Sequence, residues 1–277
     1  MGNLDGLGYR GATVVVTGGA SGMGEATARF LVDLGAKVHI VDIQQPKVAC
    51  ESFHQCDLSD FDQVRATAKA LHGIGPIDYV FPCAGLPPHI KGPAYCMRVN
   101  YIGTRLFVES LLPALKDGAG IALISSDAAM GWQANTALRM QMLAISDPDE
   151  AYAWCEADPD ARVRDGYTSS KDMLVVWVQN AAVELGNSRR IRLNAIGPCP
   201  TKTAFVDQSK EIMTDEFIAA WPFPSLGRMA TAEEQAWPLI LINSPLCGAV
   251  TDAFLYTDQG FASGVFTGAI SPAFMGG

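Results

Sequence analysis

The chain has 277 residues, with 20 Lys and Arg against 29 Asp and Glu, a formal charge of −9. That acidic balance leaves no basic surface for phosphate backbones or anionic lipid, which argues against nucleic acid and membrane as partners. Seven Cys with no Cys-x-x-Cys pair, and four scattered His, form neither a disulfide framework nor a metal-ligand cluster, so reduced thiols, a cytoplasmic protein and no metal are expected.

Residues 1–6 lack the basic and apolar regions of a signal peptide, and no apolar run reaches the roughly 18 residues of a membrane span. No linker, low-complexity tract or repeat divides residues 1–277, which read as one domain. Residues 12–17 are a β-branched run without alternation, as expected of a strand buried on both faces. Glycines follow it in Thr17-Gly18-Gly19-Ala20-Ser21-Gly22-Met23-Gly24, placed where backbone must approach a diphosphate and helix must pack on strand. Apolar spacing over 24–34 predicts a helix that Gly35 ends, and 37–41 a second strand, which completes a βαβ unit.

Asp42 ends the second strand, eighteen residues beyond Gly24. A carboxylate there accepts the adenosine ribose hydroxyls and repels a 2′-phosphate, which predicts NAD over NADP. Ala20, Ser21 and Ile43 offer no cation for that phosphate. Strands at 52–56 and 78–81 flank a helix at 61–71. Asp57 and Leu58, just after the third strand, can meet an adenine amino group and ring nitrogen, or Asp57 can cap the next helix; the sequence leaves both readings open. A long helix over 97–112 and strands at 121–124, 191–195 and 253–257 continue the alternation. The order predicts a doubly wound parallel α/β sheet, a Rossmann fold, with its ligand crevice at the carboxyl ends of the strands.

Tyr167 and Lys171 stand four residues apart at the head of another helical segment and share one face. A phenol titrates near ~10, and a fixed cation beside it favours the phenolate, the form that takes a proton from an alcohol. A serine hydrolase built on Ser126 is disfavoured: there is no Gly-x-Ser-x-Gly elbow, and His39, His54, His72 and His89 all precede the serine.

In order, from Thr17 to about Gly260, these residues resemble the short-chain dehydrogenase/reductase family. The resemblance matches Gly18, Gly22 and Gly24 to the cofactor loop, Asn100 in Val-Asn-Tyr-Ile-Gly to the helix asparagine, Ser126 to the active-site serine, and Tyr167 with Lys171 to the catalytic pair. It implies Tyr167 as acid/base, Lys171 lowering its pKa and holding the nicotinamide ribose, Ser126 donating to the substrate oxygen, and Asn100 holding a relay water.

Within the family the chain is most similar to the hydroxysteroid dehydrogenase/carbonyl reductase branch, through Cys83-Ala84-Gly85-Leu86, Asn100-Tyr101, the short link from Asp42 to Asp57, and an insertion after Ser126. Residues 198–203 resemble the segment that holds the nicotinamide carboxamide, with Pro198, backbone at Thr201 and a hydroxyl at Thr203; Asp258-Gln259-Gly260 resembles the carboxyl-terminal turn. Two departures stand out. Pro82-Cys83 replaces an asparagine-rich segment, which puts its stabilising bonds in doubt, and Cys199 replaces a glycine, which predicts a different loop path because non-glycine residues tolerate positive φ poorly.

The insert, about 130–162, reads as a helical hairpin: a helix over 132–145 and a second opened by Asp147 and Pro148. Its apolar side, Trp132, Leu138, Met142, Leu143, Ile145 and Trp154, can cover a substrate, meet a second subunit, or pack on itself. The substrate loop, about 201–226, adds Phe205, Ile212, Met213, Phe217, Ile218, Trp221 and Phe223. Two apolar walls point to a bulky hydrophobic secondary alcohol, hydroxysteroid-like, alicyclic or aryl. A smaller alcohol, or an NAD-sensing protein of the same fold without catalysis, are the competing readings. The resemblance also implies a homodimer or homotetramer.

Overall fold

Runs of Val and Ile flanked by glycine and acidic turns build the centre of the molecule. A computed structural model describes residues 4–87, 90–211 and 213–271, so His89 and Ile212 lie outside the described residues. In chain order the strands are β1 (Thr13–Thr17), β2 (Lys37–Asp42), β3 (Ser52–Gln55), β4 (Ile77–Pro82), β5 (Leu115–Ile124), β6 (Arg192–Pro198), β7 (Thr201–Lys202), β8 (Ala230–Thr231) and β9 (Phe254–Thr257). Seven of them form one parallel sheet in the order β3-β2-β1-β4-β5-β6-β9, while β7 and β8 pair separately. The strand order reverses between β1 and β4, the point at which such sheets open a ligand crevice.

Helices cover both faces. They are α1 (Gly22–Asp33), α2 (Phe61–Leu71), α3 (Pro93–Met97), α4 (Thr104–Leu111), α5 (Thr136–Leu143), α6 (Pro148–Ala157), α7 (Pro159–Arg162), α8 (Tyr167–Arg189), α9 (Ala204–Gln208), α10 (Asp215–Ala220), α11 (Ala232–Asn243) and α12 (Phe261–Thr267). One core layer joins Val15, Val80, Ile121 and Leu193 to Phe107, Leu111, Leu174 and Val178; the other joins Val14, Val16 and Ile40 to Leu31, Leu239 and Ile240.

The single helix expected over 97–112 is interrupted: α3 and α4 flank a π-helical turn, Arg98–Gly103, that carries Asn100. Gly103 permits the turn to lie against the loop after β3, because a Cβ there would fall 2.1 Å from the carbonyl oxygen of Leu58. β5 begins six residues earlier than expected, through a Lys-Asp-Gly-Ala-Gly stretch that reads as a turn, with Gly118 at φ +82° and a register shift against β4 between Ile77 and Tyr79.

The insert also departs from expectation. Asp147 caps α6 by accepting from the amides of Asp149 and Glu150, as the sequence predicts. The preceding segment is not one helix: Asp127–Asn135 is a 3₁₀ stretch, and α5 starts only at Thr136. The apolar side of the insert joins this chain's own core, where Met142, Leu143 and Cys155 are buried in the layer that holds Tyr101, Met173 and Trp177. That part of it packs on the chain itself, while Trp132, Ile145 and Trp154 are only partly buried against the same layer.

Candidate active site

The β1–α1 loop is shaped by close approach. Gly18 has φ +67°, and a Cβ on it would come 2.7 Å from the backbone of Ala84; one on Gly24 would come 2.1 Å from the oxygen of Gly18. Only glycine lets the loop nest against the turn after β4 while α1 packs behind it. Ser21 is the N-cap residue of α1 but makes no side-chain cap bond, so amides from Gly22, Met23 and Gly24 are presented with the positive end of the helix. These features fit a diphosphate.

Asp42 closes the other side of that loop, its Oδ2 accepting from the amide of Ala20 at 2.9 Å and its Oδ1 from the amide of Gln44 at 2.9 Å. Ile43 beside it is 52% exposed, an apolar surface where an adenine ring can lie. The open question at Asp57 is partly resolved: the cap of α2 is Asp60, which accepts from Asp62 and Gln63 amides, whereas Asp57 accepts from the amide of Ser59 at 2.8 Å. Leu58 is buried beneath it.

The Pro82-Cys83 departure costs no backbone satisfaction. Pro82 pairs with Thr17 at the end of the ladder, Cys83 donates its amide to the oxygen of Thr17 at 3.1 Å, and Ala84 donates to the Thr17 hydroxyl at 3.3 Å. Gly85 stands open to the crevice, where an added Cβ would meet Asn100 Oδ1 at 3.5 Å and Lys171 Nζ at 3.7 Å. Asn100 clamps the same loop, accepting from the amide of Leu86 at 2.7 Å and donating to its oxygen at 3.0 Å and to Ser170 Oγ at 3.3 Å. The side chain thus satisfies backbone, and a relay role would fall to the backbone carbonyls that the π-helical turn rearranges.

The ends of β5 and α8 bring the remaining groups together. Lys171 Nζ donates to the oxygen of Ile124 at 3.0 Å and lies 5.5 Å from the centre of the Tyr167 ring. Ser125 Oγ donates to the oxygen of Lys171 at 2.9 Å, locking strand to helix. Ser126 Oγ accepts from the amide of Ala128 at 3.2 Å and lies 3.1 Å from Asp127 Oδ1.

The electrostatics differ from the expectation for a bare Tyr–Lys pair. Burial drives the Tyr167 phenol well above its ordinary range despite a hydrogen bond with Ser126 that lowers it, and burial brings the Lys171 ammonium down to about 8. Desolvation sets the direction of both shifts, because each charged form loses water on burial. The phenol is held in its acid form.

Cys199 does not force a strained loop. It is buried, its backbone avoids positive φ, and its thiol accepts from Gln259 Nε2 at 3.5 Å. The left-handed positions fall instead at Gln259, φ +64°, and Gly260, φ +92°. Gln259 ties this turn to the substrate loop by accepting from the amide of Leu226 at 2.9 Å and donating to the oxygen of Arg228 at 2.9 Å. Thr201 hydrogen-bonds the oxygen of Cys199, and Thr203, which precedes α9, lies across from Gly22. With Pro198 ending β6, this segment borders the same crevice as the glycine loop.

Phe205 packs on Tyr167 with ring centres 5.7 Å apart, and Trp221 joins Phe217 at 5.3 Å and Phe261 at 4.4 Å. Met130, Phe261 and Ala262 are buried together at this end of the molecule. The substrate loop and α12 thus form an aromatic cluster with Met130 of the insert, and Phe205 stands against the phenol.

Asp127, Arg139, Asp172 and Arg192 are buried charged residues that escape the sequence reading, and the first two bear on the site. Asp127, beside Ser126, carries the ordinary signal of an acid in a first helical turn. Arg139 is the more detectable: it is the one cation in the apolar run 132–145, and it is buried against α8, donating to Ser169 Oγ at 2.7 Å and pairing with Asp172 at 3.2 Å.

A family model described as short chain dehydrogenase matches residues 12–137, and one described as enoyl-(acyl carrier protein) reductase matches residues 159–262. The chain is 30% identical over 250 residues to coniferyl-alcohol dehydrogenase of Pseudomonas sp., covering 90% of this chain and 96% of that one. It is 30% identical over 256 residues to 3-alpha-hydroxysteroid dehydrogenase/carbonyl reductase of Comamonas testosteroni, covering 89% and 95%. Among solved structures, 3-alpha-hydroxysteroid dehydrogenase of Pseudomonas sp. complexed with NADH matches with a TM-score of 0.77 at 23% identity, over 94% of this chain and 100% of that one. At that identity the structural likeness is one of fold.

Proposed function

Because the chain belongs to the short-chain dehydrogenase/reductase family, we propose that it uses NAD to oxidise a hydrophobic, ring-bearing secondary alcohol reversibly to its ketone. The observation that carries this reading is the meeting of Ser126, Tyr167 and Lys171 at the end of β5, on the same carboxyl-end side of the sheet as a glycine loop that leads into the N-terminus of α1. The glycine loop would hold the diphosphate, Asp42 and Ile43 the adenosine, and residues 198–203 the carboxamide. When bound, the nicotinamide supplies the acceptor for the alcohol's hydride.

Tyr167 would take the hydroxyl proton in oxidation and return it in reduction, and Ser126 would donate to the oxygen as charge develops there, an effect of about 3 kcal/mol when such a donor is removed. Lys171, anchored on Ile124, would hold the ribose. It would also return part of the positive field that burial removes, once a bound nicotinamide joins it.

Phe205 against Tyr167 and the Phe217–Trp221–Phe261 cluster support a flat or alicyclic ring rather than a polyol. The names of the relatives, a coniferyl alcohol and a hydroxysteroid enzyme, agree with that class. Turnover with NAD of a 3α-hydroxysteroid, a benzylic alcohol and a sugar alcohol tests it; a preference for the sugar alcohol refutes the substrate class, and NAD binding without turnover of any alcohol or ketone favours a sensor.

Asp42→Ala should reduce the ratio of kcat/KM with NAD to that with NADP about tenfold, the scale of one lost hydrogen bond to a charged group. An unchanged ratio would remove Asp42 from the ribose site.

A further inference from the structure

We propose that Asp127 is a positioning residue whose carboxyl proton is given to Ser126 Oγ, leaving the serine hydroxyl free to donate to the substrate oxygen. The inference rests on the reading of Ser126 as that donor.

The argument is an accounting of one hydroxyl. Ser126 has one O–H and two lone pairs. One lone pair accepts from the amide of Ala128 at 3.2 Å, Asp127 Oδ1 lies 3.1 Å from the oxygen, and the Tyr167 phenol, which acts on the same substrate oxygen, also hydrogen-bonds this hydroxyl on the crevice side. If Asp127 is ionised it can only accept, so it draws the serine O–H to itself and the substrate oxygen meets a lone pair. If Asp127 carries a proton on Oδ1, that proton fills the second lone pair, and the serine O–H is left to point into the crevice.

The surroundings favour the protonated form. Asp127 is 6% exposed, and its Oδ2 is buried with no hydrogen-bond partner, a poor place for half of an ionic charge and an acceptable one for a neutral carbonyl oxygen. The groups that face it are Asp258 in the turn after β9, Tyr256 on β9, Cys199 after β6 and Tyr167 at the start of α8. None is a cation. Asp258, 2% exposed, is committed to the amides of Gly260 and Ala262 at 2.9 and 2.6 Å and cannot turn to share a proton. Burial first, and the Asp258 carboxylate among the weaker causes, lift the Asp127 carboxyl up to about 7, with the Ser126 hydrogen bond and the backbone amides of Ala128 and Asp127 pulling the other way.

The consequence has a definite sign. As pH rises through about 7 the carboxyl ionises, Ser126 turns toward it, and the reaction loses a donor. Asp127→Asn keeps an N–H donor on Ser126 at every pH. The ratio of kcat/KM of this variant to that of the wild type, measured for ketone reduction, should rise by up to about a hundredfold between pH 6 and pH 9, since protonation falls up to tenfold per unit above a pKa near 7. A flat ratio overturns the proposal. Ser126→Ala gives an independent reading: the step near pH 7 should be missing from its residual activity, and a step that persists also overturns it.

An infrared titration separates this inference from the proposed reaction, because it needs no turnover. The band of a protonated carboxylic acid should be present at pH 6 in the wild type, be lost by pH 9, and be missing from Asp127→Asn. Its absence at pH 6 overturns the proposal even in an active enzyme, whereas its presence in a protein that turns over no alcohol places the fault in the functional reading.

Discussion

Tyr167→Phe is expected to lower kcat about 10³-fold or more while leaving NAD affinity within about threefold of the wild type. The substitution removes the phenol proposed to exchange a proton with the alcohol beside Ser126, and it keeps the ring that Phe205 packs against at 5.7 Å. Binding should survive because the glycine loop and Asp42 lie on β1, α1 and β2, away from the phenol. The pH dependence adds a second signature. Burial holds the phenol above its ordinary range, so its protonated form dominates near neutrality and oxidation should accelerate as pH rises toward the phenolate. Phenylalanine cannot titrate, so its residual rate should lose that rise. Stopped-flow or steady-state NADH absorbance gives the rates, and quenching of protein fluorescence by NAD gives the affinity. Near-normal turnover would show that another group handles the proton.

The part of the site that the sequence makes legible is the part that backbone geometry dictates. Gly18 and Gly24 cannot carry a Cβ against Ala84 and the oxygen of Gly18, so their spacing reports packing directly, and Val-rich runs buried on both faces announce β1 and β2. Asp42 follows from its position at the end of β2. The sequence misleads where one pattern has two physical uses.

The apolar side of the insert looks available for ligand, but Met142, Leu143 and Cys155 complete this chain's own core. Apolar periodicity over 97–112 does not distinguish an α-helix from one interrupted by a π-helical turn, and the turn at Arg98–Gly103 lies where Gly103 approaches Leu58, a contact remote in sequence. α11 carries Pro238 in its middle, a residue that argues against a helix, and leaves the apolar Leu241 exposed while burying Gln235 and Asn243, so polarity and burial do not coincide along it. The Tyr167–Lys171 pair is the subtlest case. Spacing places the two charges together correctly, but the sign of their pKa shifts depends on burial, which spacing does not encode.

Arg139→Met is expected to be the most destabilising of the substitutions considered, by about 3–5 kcal/mol, because it leaves the Asp172 carboxylate buried without its cation. Arg139 and Asp172 are each 1% exposed and 3.2 Å apart, and Arg139 also donates to Ser169 Oγ and to the oxygen of Arg162 at 3.0 Å. The insert is thereby fastened to the first turns of α8, which begin with Tyr167. The pair is imperfect, however: Arg139 Nε and Asp172 Oδ1 are buried without partners, and burial raises the Asp172 carboxyl in spite of the guanidinium beside it.

An apolar replacement of both partners removes two desolvated charges together, so Arg139→Met with Asp172→Leu should recover most of the lost stability in urea unfolding. It should not recover all of the activity, since Ser169 also loses its donor and the start of α8 is held less firmly. If the double variant were as unstable as the single one, the shape of the guanidinium, rather than its charge, would be what holds the insert. If the single variant unfolded at the wild-type urea concentration, the insert would be fastened by its apolar contacts with Met173 and Trp177, and the buried pair would contribute nothing to the position of Tyr167.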